Sequence, residues 1–128
     1  MTNFEKIKEF HKAFKRFSGV TPELPNKKLI KLRIKIMKEE MKELIEAIKE
    51  NNLPNIAKEL SDVLVVVYGT ADSYGINADK AFDLVHKANM SKLDINGQPI
   101  MRDDGKILKG PNYQEPNMKS FIKNEIDL

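Results

Sequence analysis

Glu40 and Glu43 form an E-x-x-E, and Glu59 and Asp62 an E-x-x-D, within the segment KEEMKELIEAIKENNLPNIAKELSDVLVVVYG. On a helix, an i, i+3 spacing turns both members of a pair to one face. Two such helices packed antiparallel across the short connection at 51–54 would bring the two pairs together. Each like pair of carboxylates at about 6 Å then costs roughly 2–3 kcal/mol at an effective dielectric of about 20. A cation removes that cost, and hard oxygen ligands suit Mg²⁺, or Mn²⁺ in its place, rather than zinc. The competing reading is ion pairing with Lys42, Lys58 or Arg33, because buried charges either pair or hold metal. The stripe of Glu40 and Glu43 also carries Ile36 and Ala47, and that of Glu59 and Asp62 runs on through Val66 and Gly69. Such apolar surroundings favour the metal, whereas Glu39, Glu46 and Glu50 taken alone read as a solvated face. A carboxylate diiron bundle would need Glu-x-x-His motifs, and neither His11 nor His86 follows a Glu at that spacing.

A polyanionic ligand over such a metal calls for donors. His86, Asn89 and Lys92 stand three apart and follow one drifting helical stripe suited to phosphate, or else a helix surface with a capping Asn. Lys106 and Lys109 flank Ile107-Leu108 in a Gly-rich segment that would fold over a ligand, with Asn112 and Tyr113 available for sugar or base. As isolated lysines they would be ordinary surface. His11 offers a hydrogen bond to a base edge, and Tyr68 and Asp72, one turn apart, are further candidates.

These side chains need helices to position them. Phe4, Ile7, Phe10, Phe14 and Phe17 predict an amphipathic helix over 3–17, whose Phe stripe reads first as core. Ile30, Ile34, Met37, Met41, Leu44 and Ile48 alternate four and three apart and predict a helix over 26–50 with a coiled-coil-like seam. Asn51-Asn52 ends it, and Pro54 suits the first turn of a third helix over 54–74. That helix is apolar all round from Val63 to Val67 and is expected to be central and buried. Gly75 is its expected C-terminal cap and Asn77 the N-cap of a fourth helix over 78–92. Beyond it the chain turns rich in Gly, Pro, Asn and Asp. Asp104-Gly105 between PIMR and KILK suggests a small hairpin, and 117–128 a short helix or loose tail. The expected architecture is all-α: an antiparallel bundle of about four helices, core 3–92, with a Gly/Pro-rich C-terminal tail over 94–128, as a single domain spanning 1–128.

The chain has 128 residues, 41% hydrophobic and 32% charged, which suits one small helical domain that oligomer formation would help. A net charge of +3, with acids concentrated over 39–62, argues against nucleic-acid binding. The absence of cysteine excludes disulfides and thiolate chemistry. The start MTNFEKIKEF lacks a signal-peptide pattern and the run Val63–Tyr68 is too short to span a bilayer, so a cytoplasmic protein without membrane attachment is expected.

In their order, EEMKEL and ELSDVL, with EFHKAF at 9–14, VVYGTADSYGI at 66–76, VHKANMSKL at 85–93 and DGKILKGPNYQEP at 104–116, resemble the MazG-like all-α nucleoside triphosphate pyrophosphohydrolases, in their phosphoribosyl-ATP pyrophosphohydrolase-like branch. The resemblance implies Mg²⁺-dependent cleavage of a nucleotide between its α- and β-phosphates, giving a monophosphate and pyrophosphate. It implies metal ligands at Glu40, Glu43, Glu59 and Asp62. Catalysis would rest on Glu39, Glu40 and Glu43, with Glu39 assisting the attacking water. It also implies a homodimer or a dimer of dimers. The branch name does not fix the substrate, since members of the superfamily act on canonical or damaged nucleotides. The alternative from a different class is a non-catalytic helical oligomerisation or interaction module whose acids are salt-bridged.

Overall fold

A computed structural model describes residues 1–127. The described residues are all-α, in the order α1 (Asn3–Ala13), α2 (Lys27–Lys49), α3 (Leu53–Ser73), α4 (Ala78–Met90) and α5 (Met118–Ile126). The chain forms two compact units, Met1–Ala78 and Asp79 onward.

In the first unit α3 packs against both α2 and α1. Thr2 starts α1 with a capping box: its hydroxyl accepts the Glu5 N–H at 3.1 Å, and the Glu5 carboxylate accepts the Thr2 N–H at 3.3 Å. The helix ends at Ala13, four residues before the last Phe of the stripe that predicted it. Lys15 takes a left-handed φ of 55°, and the Lys15 and Arg16 N–H groups turn back to the Lys12 and His11 carbonyls. Phe14 and Phe17 thereby leave the helix. Phe10, Phe14 and Phe17 are exposed, so the core share of this stripe is Phe4 and Ile7.

Asn26 caps α2 through its side chain, and Asn52 caps α3 in the same way, with Pro54 in the first turn. The connection between them is Glu50–Asn52, with Asn51 at φ 54°. The buried residues of α2 are Arg33, Leu44 and Ala47, with Glu40 half-buried on the same stripe. Those of α3 are Glu59, Val66, Gly69, Asp72 and Ser73. The expectation that α3 is central and buried is corrected in its second half: the helix packs against both α1 and α2, but Leu60, Leu64, Val65 and Val67 are exposed, because those contacts cover one side of it. The seam of α2 is likewise only partly enclosed, with Leu44 buried and Ile34, Met41 and Ile48 exposed. Gly75 follows α3 at φ 66°, and a Cβ there would run into the Thr21 carbonyl oxygen, so the loop after α1 seats directly on this turn.

In the second unit α4 ends two residues before its predicted limit. Asp94 closes a turn by accepting the N–H groups of Asn96 and Gln98. The expected hairpin is a tight turn at 102–106 with an antiparallel bridge between Met101 and Ile107. Residues 118–126 resolve the choice between helix and loose tail in favour of α5, which Asn117 caps and whose Glu125 accepts from Lys80 of α4 at 3.1 Å. No helix among the described residues is long and apolar enough to cross a membrane.

Candidate functional site

The antiparallel α2–α3 pair brings the acids together. Ligand oxygens of Glu40, Glu43 and Glu59 all lie within 4.8 Å of one another. Glu59 is 6% exposed, Glu40 half-buried and Glu43 exposed, so the group opens from the helix seam toward solvent. One oxygen of Glu40 and one of Glu59, Oε2 in each, is buried without a hydrogen-bond partner. An orphaned carboxylate oxygen loses its hydration with nothing in exchange, which a protein tolerates where an ion takes the lone pairs. The Glu40 carboxyl is pushed above the ordinary carboxylate range, first by burial, then by the charges of Glu43 and Asp62, a hydrogen bond with Glu43 and the charge of Glu59.

Asp62 stands beside this group with its carboxylate engaged elsewhere. Lys58 donates to Asp62 Oδ2 at 2.8 Å and to Glu59 Oε1 at 3.3 Å. Those two hydrogen bonds, to Asp62 first, push the Lys58 ammonium upward and keep it charged. Of the three cations weighed as ion-pair partners from the sequence, Lys58 takes that role. Arg33 does not: its guanidinium donates from Nη2 to the Val66 carbonyl at 2.8 Å and from Nε to Thr70 Oγ1 at 3.2 Å. Burial, then the nearby charge of Arg16, holds Arg33 below its ordinary pKa, opposed by the charge of Asp72.

A second polar constellation joins α1 to α3. Asp72 is 0% exposed. Its Oδ1 accepts from Lys8 at 2.9 Å and Ser18 at 2.7 Å, and its Oδ2 meets His11 Nδ1 at 2.7 Å. Burial alone would raise the Asp72 carboxyl, but these three hydrogen bonds and the Lys8 charge hold it below the ordinary range. Gly69 makes room beneath: a Cβ there would lie 2.6 Å from Arg33 Nη2 and 3.2 Å from His11 Nε2. His11 is therefore a buried partner of Asp72, and its expected hydrogen bond to a base edge has no support in this geometry. Tyr68 is half-buried, with its ring 6.4 Å from that of Phe4. Spacing did not single out Lys8, Ser18 and Arg33 as a network. The one local signal was Gly69, a glycine inside an apolar helix, which marks close approach by a neighbour.

Glu39 is exposed on α2, beside Glu40 in sequence. The remaining expected ligand contacts lie in the second unit. His86 and Asn89 are exposed on α4, whereas Lys92, expected on the same helical stripe, is half-buried in the turn two residues past the end of the helix. Lys106 sits at the hairpin turn, Asn112 is exposed, and Lys109 places its ammonium 4.8 Å from the centre of the half-buried Tyr113 ring, a cation–π contact. These residues enter any functional account through the sequence rather than through the geometry.

The family model described as phosphoribosyl-ATP pyrophosphohydrolase matches residues 7–89, a stretch that contains all four acids. An uncharacterized protein of Acanthamoeba polyphaga mimivirus is 33% identical over 102 residues, covering 77% of this chain and 38% of the relative. The chain thus spans well under half the length of that curated relative. Among solved structures, a proposed NTP pyrophosphohydrolase from Exiguobacterium sp. 255-15 superposes with a TM-score of 0.52 at 22% identity, covering 98% of this chain and 95% of the other. That likeness shows the shared helical fold.

Proposed function

This chain belongs to the phosphoribosyl-ATP pyrophosphohydrolase family, and from that premise we propose that it is a Mg²⁺-dependent nucleotide pyrophosphohydrolase. The reaction is hydrolysis of a (deoxy)nucleoside triphosphate or related nucleotide between its α- and β-phosphates, yielding the monophosphate and pyrophosphate. The observation that carries the metal assignment is that Glu40 and Glu59, two of the three acids whose oxygens converge, each hold a buried oxygen, Oε2, without a hydrogen-bond partner. Hard, anionic oxygens clustered this closely fit Mg²⁺ or Mn²⁺. Glu40, Glu43 and Glu59, joined by Asp62, would hold the ion, which when bound polarises phosphate oxygens and lowers the pKa of water. Glu39, exposed and next to Glu40 in the sequence, would accept the proton of the attacking water. The exposed apolar residues on α2 and α3 support self-association as a homodimer or dimer of dimers.

A panel of nucleotides assayed for pyrophosphate and monophosphate with Mg²⁺ or Mn²⁺ tests this reading. At least one nucleotide is expected to yield both products only with the divalent ion present. The opposing reading, a non-catalytic module, draws on the Lys58 ion pairs. It predicts no pyrophosphate from any nucleotide and no stabilisation by Mg²⁺.

The raised pKa of Glu40 adds a pH signature. A carboxyl whose pKa is raised by folding holds its proton more tightly in the folded than in the unfolded chain. Its contribution to stability is present below its ordinary value of 4.5 and is lost as pH rises toward the raised one. The metal-free protein is therefore expected to lose stability as pH climbs above 4.5. A cation that replaces the proton restores it, so the rise in Tm on adding Mg²⁺ should grow across the same window. Thermal unfolding with and without Mg²⁺ at a series of pH values measures this, and a Mg²⁺ increment independent of pH would count against the site.

A further inference from the structure

Lys58 divides the Glu59 carboxylate. One oxygen, Oε1, accepts from its ammonium at 3.3 Å, while the other, Oε2, is buried without a hydrogen-bond partner. The same ammonium holds Asp62 Oδ2 more closely, at 2.8 Å, and Asp62 is not one of the three residues whose oxygens converge. Lys58 and Asp62 are one helical turn apart on α3, with side chains 65% and 36% exposed. An exposed i, i+4 pair of this kind is weak, and a lysine stem is flexible enough to carry its charge several ångströms. The ion pair can therefore break when a stronger cation competes for the same oxygens.

Resting on the metal reading above, we propose that Lys58 is a tethered counter-ion that the divalent cation displaces from Asp62 and Glu59, and that the released ammonium then turns to the polyphosphate of the ligand. A positive charge on the ligand oxygens opposes a second cation, so the ion binds weakly until Lys58 has somewhere else to go. A polyphosphate supplies that place. Cation and polyanion then load together, and the nucleotide-free protein is kept from holding a divalent ion tightly.

Two titrations test this, each on wild type, Lys58→Met and Lys58→Arg. The first adds Mn²⁺ to the ligand-free protein. The second adds imidodiphosphate, a polyphosphate mimic that resists hydrolysis, at saturating Mg²⁺. Lys58→Met is expected to bind Mn²⁺ at least about tenfold more tightly, as loss of a screened unit charge beside a divalent ion implies. It should bind imidodiphosphate about tenfold more weakly through loss of a charge-assisted hydrogen bond. Lys58→Arg keeps the charge and should stay near wild type in both. A lysine with only a structural role would not move the two affinities in opposite directions. Unchanged or weaker Mn²⁺ binding in Lys58→Met, or unchanged imidodiphosphate binding, overturns the role of Lys58 while leaving the metal site standing. A wild-type protein that takes up neither Mn²⁺ nor Mg²⁺ overturns both.

Discussion

Glu59→Gln is expected to lower turnover of whichever nucleotide proves to be the substrate by about three orders of magnitude or more. The basis is the Glu59 carboxylate, which converges with those of Glu40 and Glu43 and whose Oε2 is buried and unpartnered. An ion held there supplies several kcal/mol of charge stabilisation in the transition state, and each 1.4 kcal/mol or so is a factor of ten in rate. An amide keeps the shape but offers a neutral oxygen, so the ion is lost with its contribution. Folding should respond in the opposite sense. The substitution removes one of several mutually repelling charges and lifts the desolvation cost of a buried carboxylate. The metal-free variant should therefore melt no lower than wild type, while the Mg²⁺-dependent rise in Tm disappears. Steady-state kinetics and thermal unfolding read the two effects separately. Retained turnover, or a large loss of metal-free stability, would recast Glu59 as a structural residue.

Asp72→Asn should do the reverse, with stability lost by about 3–5 kcal/mol because one partner of a buried charge network is removed while the others stay. Asp72 carries the convergence of Lys8, Ser18 and His11, and the charge of Arg33 lies close by. For a domain of this size such a loss corresponds to a drop in Tm of roughly 10 °C or more. The pH dependence identifies the cause. A carboxyl held below its ordinary pKa contributes stability above that ordinary value and loses it as pH falls through the depressed one. The gap between wild type and Asp72→Asn should thus be full at neutral pH and close only in acid, below the ordinary carboxylate value of 3.8. Urea unfolding of both proteins at neutral pH and in acid makes the comparison. A gap that persists unchanged in acid would assign the effect to packing rather than charge.

The acid site was legible before the structure because its geometry is local. A three-residue spacing places a pair on one face, and a short connection forces two helices to run back alongside each other. Three of the four acids do converge, and the fourth is held by one of the cations weighed as its partner. The Asp72 network was not legible, because its members lie 54, 61 and 64 residues apart and only the tertiary fold brings them together. The end of α1 misled for a different reason. Phe14 and Phe17 keep helical spacing, yet a lysine rather than a glycine adopts the left-handed residue that closes the helix. The apolar run of α3 predicts a central, buried helix, but hydrophobic character fixes only what would benefit from cover. Which side of the helix the neighbours reach is decided by their own stripes.

The connection between α2 and α3 carries no chemistry, yet it works as a length gauge. Glu43 stands seven residues before the C-cap Glu50, and Glu59 seven after the N-cap Asn52, while Glu40 and Asp62 stand ten away on the same two arms. The hairpin is thus an evenly folded ruler whose matching marks are acids. One residue inserted within either arm would swing the marks beyond it by about 100° and slide them about 1.5 Å. The acids would fall out of alignment with none of them altered. Insertions and deletions between Glu40 and Asp62 should therefore be as damaging as loss of an acid.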